Sequence, residues 1–226
     1  MKRLSRMLTI AALILLAGSL LWAIFSLPAA AVRLPALVAA ELAGSGVSHP
    51  VTAVLLNFRG YDTLLEVAVM LLALTGMLAA GLPADPPLFS GNSMLPTLAR
   101  HVSPMMLLAA VYLLWAGAHR PGGAFQAAAV LAAGAVLLDL AGILHHWSGQ
   151  RYWLRLAIAG GFLFFCAVAA ALLAHGGLLR YPPEKAGLLI LLIESGLTIS
   201  LAVNLAAFFL LRSEDGMRKI GAEDRR

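Results

Sequence analysis

The chain is poor in the residues from which soluble proteins and most enzymes build their sites. Of its 226 residues only 12% are charged, 8% are aromatic and one is a cysteine. That lone cysteine, Cys166, excludes an intrachain disulfide framework and a thiolate metal site within one chain. The histidines offer no metal site either. His49, His101, His119, His145, His146 and His175 fall near the ends of apolar runs, no pair has the i, i+4 spacing, and adjacent His145 and His146 point in different directions. Redox-cofactor motifs are absent, and no nucleophile has a paired base, so an enzyme reading has no support and no cofactor is expected. The net charge of +5 does not gather into a basic patch with interleaved aromatics, so nucleic acid is not the expected partner.

What is present is apolar length. Apolar residues make up 61% of the chain and the mean hydropathy is +0.89, more than one water-soluble core needs. A helix needs ~20 residues to cross ~30 Å of hydrocarbon. Six runs reach that range: residues 7–27, 64–82, 102–118, 124–145, 154–174 and 186–211. The expected fold is an all-α integral membrane protein with about six transmembrane helices. Between the first two, Ser48-His49-Pro50 reads as a helix start and residues 51–58 as a short apolar helix ended by Gly60, re-entrant or interfacial because it cannot span. The first run, followed by Pro28-Ala29-Ala30-Ala31, also fits a secretory signal and cleavage site, but it is longer than a signal core.

Basic residues orient the bundle. Lys2, Arg3, Arg6, Arg100, Arg151, Arg155, Arg212, Arg218, Lys219, Arg225 and Arg226 share one side; Arg33, Arg59, Arg120, Arg180 and Lys185 share the other. The positive-inside rule then places both termini in the cytoplasm. Trp147, Tyr152 and Trp153 read as an interfacial aromatic belt on that side. A proline-rich stretch from Leu82 to Pro96 separates a two-span module (1–90) from a four-span domain (101–212), with 91–100 as a cytoplasmic linker and 213–226 as a cytoplasmic tail.

Charge set against these runs is costly, ~2.5–3.5 kcal/mol at the centre of a membrane helix. Asn57-Phe58-Arg59-Gly60-Tyr61-Asp62-Thr63-Leu64-Leu65-Glu66 opens the second span. Thr63 and Glu66 have capping-box spacing; alternatively Arg59, Asp62 and Glu66, the two acids one turn apart, form a polar cluster able to bind or pass a cation. Glu194 lies ~12 Å inside the last span and needs a partner, a water-filled cavity or a proton. Ser195, Thr198, Ser200 and Asn204 suggest a polar face there, or simply polar glue between helices. Asp139 lies near the cytoplasmic end of the fourth span, where His145, His146 or Arg151 could pair with it. Gly117-Ala118-His119-Arg120-Pro121-Gly122-Gly123-Ala124-Phe125-Gln126 is a tight reversal between the third and fourth spans, and as a bare motif a hairpin connector. It is no phosphate loop, lacking the Lys-Ser/Thr ending and a preceding strand.

Two of these stretches resemble parts of a known family. Asn57 to Glu66 is similar to the C-terminal end of the A subunit of Mrp-type sodium/proton antiporters and to a small subunit of membrane-bound hydrogenases. Residues 101–212 resemble the B subunit of the same antiporters: the turn through Pro121, Gly122, Gly123 and Phe125 matches its Pro-Gly-Gly-Gly/Ala-Phe element, and Glu194-Ser195-Gly196 its acidic-x-Gly element. The chain departs from the pattern at Ala118, where a histidine is frequent, and at Ala124 and Ala127, where glycines are. The resemblance implies a fused subunit of a multisubunit antiporter or related ion-pumping complex in a bacterial or archaeal cytoplasmic membrane. Its partners would be the other membrane subunits, lipid, and sodium or protons. It implies a proton route through larger subunits with lysines in broken helices, and this chain has no lysine in a predicted span. Asp62, Glu66, Glu194, Asp139 and Arg59 are the ion-path candidates; Gly60, Thr63, Pro121, Gly122, Gly123 and Phe125 are the structural ones. The alternative is an adaptor, with no ion path of its own, in a respiratory or inorganic-carbon-coupled complex.

Overall fold

A computed structural model describes residues 2–27, 33–80, 94–144, 152–174 and 176–210. By contacts the chain divides into two compact units, Met1–Leu37 and Val38–Arg226. Helix α1 (Lys2–Phe25) makes up most of the first, and its stretch Arg6–Phe25 is long and apolar enough to cross a membrane.

The remaining elements are α2 (Leu34–Glu41), running into a 3-10 turn at Leu42–Ser45; a short helix, α3 (Pro50–Thr52), continuing as a π-helix at Ala53–Phe58; and α4 (Gly60–Ala80), α5 (Met94–Ala116), α6 (Ala124–Leu140), α7 (Tyr152–Ala174) and α8 (Pro183–Leu210). Five helices meet the length and hydropathy of a membrane span among the described residues: α1, α4, α5, α7 and α8. With 17 residues, α6 is ~25 Å long, at the lower limit for crossing.

Helix α8 is the centre. Helices α6 and α7 flank it, α5 packs on α6, and α4 lies against α8 and α7. Polar groups are therefore concentrated on α8, where neighbouring helices can satisfy them. Its Ile190, Ile193, Leu197 and Leu201 meet Phe165 of α7, Ala128 of α6, Val67 of α4 and Leu56 of the π-helix in one apolar cluster. The α7–α8 crossing is close because it is built on small residues. The Cα of Gly161 lies 4.0 Å from where a Gly196 Cβ would sit. A Cβ on Gly161 would meet the Ser200 Cβ at 2.5 Å and the Gly196 carbonyl at 2.7 Å.

Several boundaries differ from those read in the sequence. Residues 94–100, assigned to the linker, are the first turns of α5. Pro96 lies in the first turn, where its missing N–H breaks no helical bond, so it permits a helix rather than marking a loop. Gly60 begins α4 instead of merely ending the short helix. Helix α2 lies outside the runs read in the sequence: Pro35 sits in its first turn, where proline is compatible with a helix, and Gly46, at φ 73°, ends the 3-10 turn that follows. By contacts Val38 to Ala80 group with the four C-terminal helices. The cleavage-site residues Pro28-Ala29-Ala30-Ala31, the linker residues before Met94, His145, His146, Trp147, Arg151, His175 and the tail lie outside the described residues.

Candidate functional site

The turn between α5 and α6 folds tightly back on the end of α5. The Leu113 carbonyl, in the last turn of α5, accepts both the Gly117 N–H at 3.2 Å and the Gly123 N–H at 2.9 Å. That return leaves no room for side chains. A Cβ on Gly122 would collide with the Leu113 carbonyl, one on Gly117 would lie 2.7 Å from the Gly123 Cα, and Gly123 itself has φ 113°. Here the Pro-Gly-Gly sequence is a geometric requirement. Pro121 is exposed at the tip, and Phe125 anchors the start of α6 in the main core.

The N-terminus of α6 is thereby aimed at Glu194. Eleven residues after Pro183, Glu194 is ~16 Å along α8, deeper than the sequence estimate because α8 starts earlier than its apolar run. It is 7% exposed. Its carboxylate accepts the backbone N–H of Ala124, the first residue of α6. A Cβ on Gly123 would lie 2.8 Å from Glu194 Oε1. The first N–H groups of a helix have no internal partner and carry the positive end of the helix dipole. The α6 terminus thus offers the buried carboxyl a backbone donor where, among the described residues, no basic side chain pairs with it, and leaves its remaining lone pairs open to a proton, a water or a cation.

The expected polar face on α8 is in fact split between two neighbours. Glu194 faces α6, whereas Ser200 Oγ (2.6 Å) and Asn204 Nδ2 (3.0 Å) both donate to the Ile158 carbonyl of α7. Buried Leu197 and Leu201 lie between them around the helix. Thr198 and Ser195 turn back on their own helix, to the carbonyls of Glu194 and Leu191. No continuous polar track runs along α8.

Residues 46–63 close over the α5–α6 turn and the start of α8. A Cβ on Gly46 would strike the Pro183 carbonyl. Thr52 Oγ1 donates to the Gly117 carbonyl at 2.6 Å, and Ser48 Oγ donates to that of Ala118 at 2.9 Å. The short helix is wound to a π turn, Arg59 N–H bonding the Val54 carbonyl at 2.8 Å. Such turns leave carbonyls unpaired, and Thr63 Oγ1 fills one by donating to Leu55 at 2.6 Å. Thr63 thus lies inside α4 and does not cap it, which removes the capping-box reading of Thr63 and Glu66. Asn57 Nδ2 bonds the Ser45 carbonyl at 2.7 Å. Gly60 leaves space for Leu179, whose Cδ1 would lie 3.1 Å from a Cβ there and whose backbone is left-handed at φ 55°.

Of the ion-path candidates, Arg59 and Asp62 form an exposed ion pair. Glu66, one turn further, is exposed, flanking the face of α4 that buries Gly60, Thr63, Val67 and Leu74. Asp139 is half-buried, ~22 Å along α6 from Ala124. Neither of these acids is brought to Glu194 by the bonds described above. The sequence reading missed the bonds of Ser48, just before the short helix, and of Thr52, within it, and it missed the Ala124 amide, which has no side-chain signature.

The comparisons with known proteins agree with this architecture. Residues 94–213, 120 of the chain's 226, match the family model described as a domain related to the MnhB subunit of Na+/H+ antiporter. A chain of the membrane-bound sulfane sulfur reductase, an archaeal respiratory membrane complex, superposes with a TM-score of 0.66 at 22% identity, over 93% of this chain and 100% of that one. A chain of the Mrp complex from Dietzia sp. DQ12-45-1b superposes with a TM-score of 0.64 at 23% identity, over 93% of this chain but only 26% of the larger one. At such identities the likeness is one of fold. None of the curated proteins matches the chain. The family match covers more than half of the sequence, including the Pro-Gly-Gly turn and Glu194, and on that basis the chain belongs to the family of domains related to the MnhB subunit of the Na+/H+ antiporter.

Proposed function

We propose that this chain is a membrane subunit of a multisubunit sodium/proton antiporter, or of a related ion-pumping complex, and that Glu194 contributes to its ion path. The reading rests above all on one observation: a carboxylate 7% exposed, deep in a membrane helix, meets the N-terminus of α6, and among the described residues no basic side chain pairs with it. A charge at that depth is costly unless something uses or shares it. In this reading Glu194 exchanges a proton or a cation as its surroundings change. Asp62 and Glu66 stand on the surface of α4, where a neighbouring subunit can complete their coordination. Those partners are other membrane subunits in a bacterial or archaeal cytoplasmic membrane, with both termini cytoplasmic.

The bond from Ala124 also favours a second reading, an adaptor in which Glu194 only caps α6 and holds the bundle together. Two measurements separate them. Tagged chain extracted in mild detergent is expected to bring down other antiporter-like membrane subunits; purification alone would contradict the assignment. Glu66→Gln and Glu194→Gln are expected to assemble on a native gel yet lose cation-dependent proton exchange. Unchanged exchange in both would leave the adaptor.

A further inference from the structure

We infer that His119 is a proton-exchanging group of the α5–α6 turn, with its tautomer fixed by Ser48 so that Nε2 is the atom that gains and loses the proton. The inference rests on the reading that Glu194 serves an ion path. Ser48 Oγ lies 2.9 Å from the Ala118 carbonyl and 3.0 Å from His119 Nδ1. A hydroxyl has one proton, and a carbonyl can only accept, so that proton goes to Ala118. At the second contact the Ser48 oxygen is the acceptor, and His119 Nδ1 must carry a hydrogen.

The neutral ring is then the Nδ1–H tautomer, with the Nε2 lone pair free. Proton uptake at Nε2 gives the imidazolium with both nitrogens protonated; release returns the Nδ1–H form. Both states keep the Ser48 bond, so the ring can cycle without loosening the turn. His119 is exposed, and Trp115 of α5 contacts it edge-on at a centroid distance of 6.3 Å. Arg120 follows it on the turn, and half-buried His49 follows Ser48 on the segment packed against it. No carboxylate pairs with His119 among the described residues. Its turn begins at Gly117, against which Gly123 packs, and Gly123 lies over the Glu194 carboxylate. The accessible histidine thus belongs to the seven-residue reversal, 117–123, whose last residue packs on the buried acid of α8.

The test has two arms. Full-length chain labelled with 15N-histidine in lipid bilayers is examined by solid-state NMR, the His119 signals being identified by their loss in His119→Asn. Nδ1 is expected to stay protonated across the titration while Nε2 changes; Ser48→Ala is expected to release that constraint. A neutral His119 bearing its proton on Nε2 overturns the inference. In vesicles carrying the whole complex, His119→Gln is expected to lose the limb of the exchange-rate pH profile that coincides with the His119 titration, with the complex intact. A profile superimposable on wild type overturns it as well. Glu194→Gln exchanging like wild type overturns the ion-path reading separately, because the tautomer and the limb are measured without that variant.

Discussion

Replacing Glu194 by alanine and by glutamine separates the carboxylate's bonding from its charge. Alanine removes the acceptor of the Ala124 N–H and leaves a helix-terminal donor without a partner. A hydrogen bond to a charged group contributes ~1.5–3 kcal/mol. Side-chain bonds between membrane helices average only ~0.6 kcal/mol, because the unfolded chain in lipid also finds partners. The upper range applies here. The donor is a backbone amide at the positive end of a helix, and the acceptor, 7% exposed, is walled in by Gly123 and α6. Alanine is therefore expected to cost ~2–3 kcal/mol. Glutamine keeps an oxygen acceptor and loses only the charge–dipole attraction, ~0.3–1 kcal/mol. The difference, ~1–2.7 kcal/mol, is roughly 5- to 100-fold in the unfolding equilibrium. Reversible unfolding of the full chain in mixed detergent and SDS micelles measures it from the midpoints. Equal destabilisation by the two variants would refute the bond to Ala124 as the reason Glu194 is held where it is.

Other consequences can be measured in the same system. Gly161→Ala, whose methyl would meet the Ser200 Cβ at 2.5 Å and the Gly196 carbonyl at 2.7 Å, is expected to cost ~1–3 kcal/mol; Gly134→Ala, meeting only the flexible Met106 side chain at 3.8 Å, should be neutral or slightly stabilising. Thr52→Val, losing the bond to Gly117, should cost ~0.6–1.7 kcal/mol, and Thr52→Ser should restore most of it. Tyr181 has a buried hydroxyl with no partner in the structure, and burial pushes its phenol up from the usual tyrosine range. Tyr181→Phe should therefore be neutral or stabilising by ~1 kcal/mol. Because the folded state disfavours the phenolate, wild-type stability should be level below pH ~10 and fall above it as the unfolded chain ionises. Tyr181→Phe should lack that part of the fall.

The spans were legible because apolar length is a one-dimensional property. Residues 152–174 and 183–210 form helices close to where hydropathy set them. Boundaries were less legible wherever proline took a helix-compatible place, as Pro35 and Pro96 did in first turns. The π turn at Ala53–Phe58 has no local signature, since what fixes it is tertiary: Thr63 supplying a hydroxyl to Leu55 and Thr52 reaching Gly117. The Pro-Gly-Gly turn and Glu194 could each be picked out as unusual. Their meeting could not, because some seventy residues separate them in sequence and one of the partners is a backbone amide. Within Asn57 to Glu66, composition pointed to charge chemistry, while Asn57, Gly60 and Thr63 turn out to be committed to packing and backbone bonds.

The most direct test of the account is sodium-dependent proton exchange in inverted vesicles carrying the whole complex, wild type against Glu194→Gln, with assembly confirmed on a native gel. The account predicts an intact complex whose exchange is lost. An intact complex exchanging at the wild-type rate would contradict it.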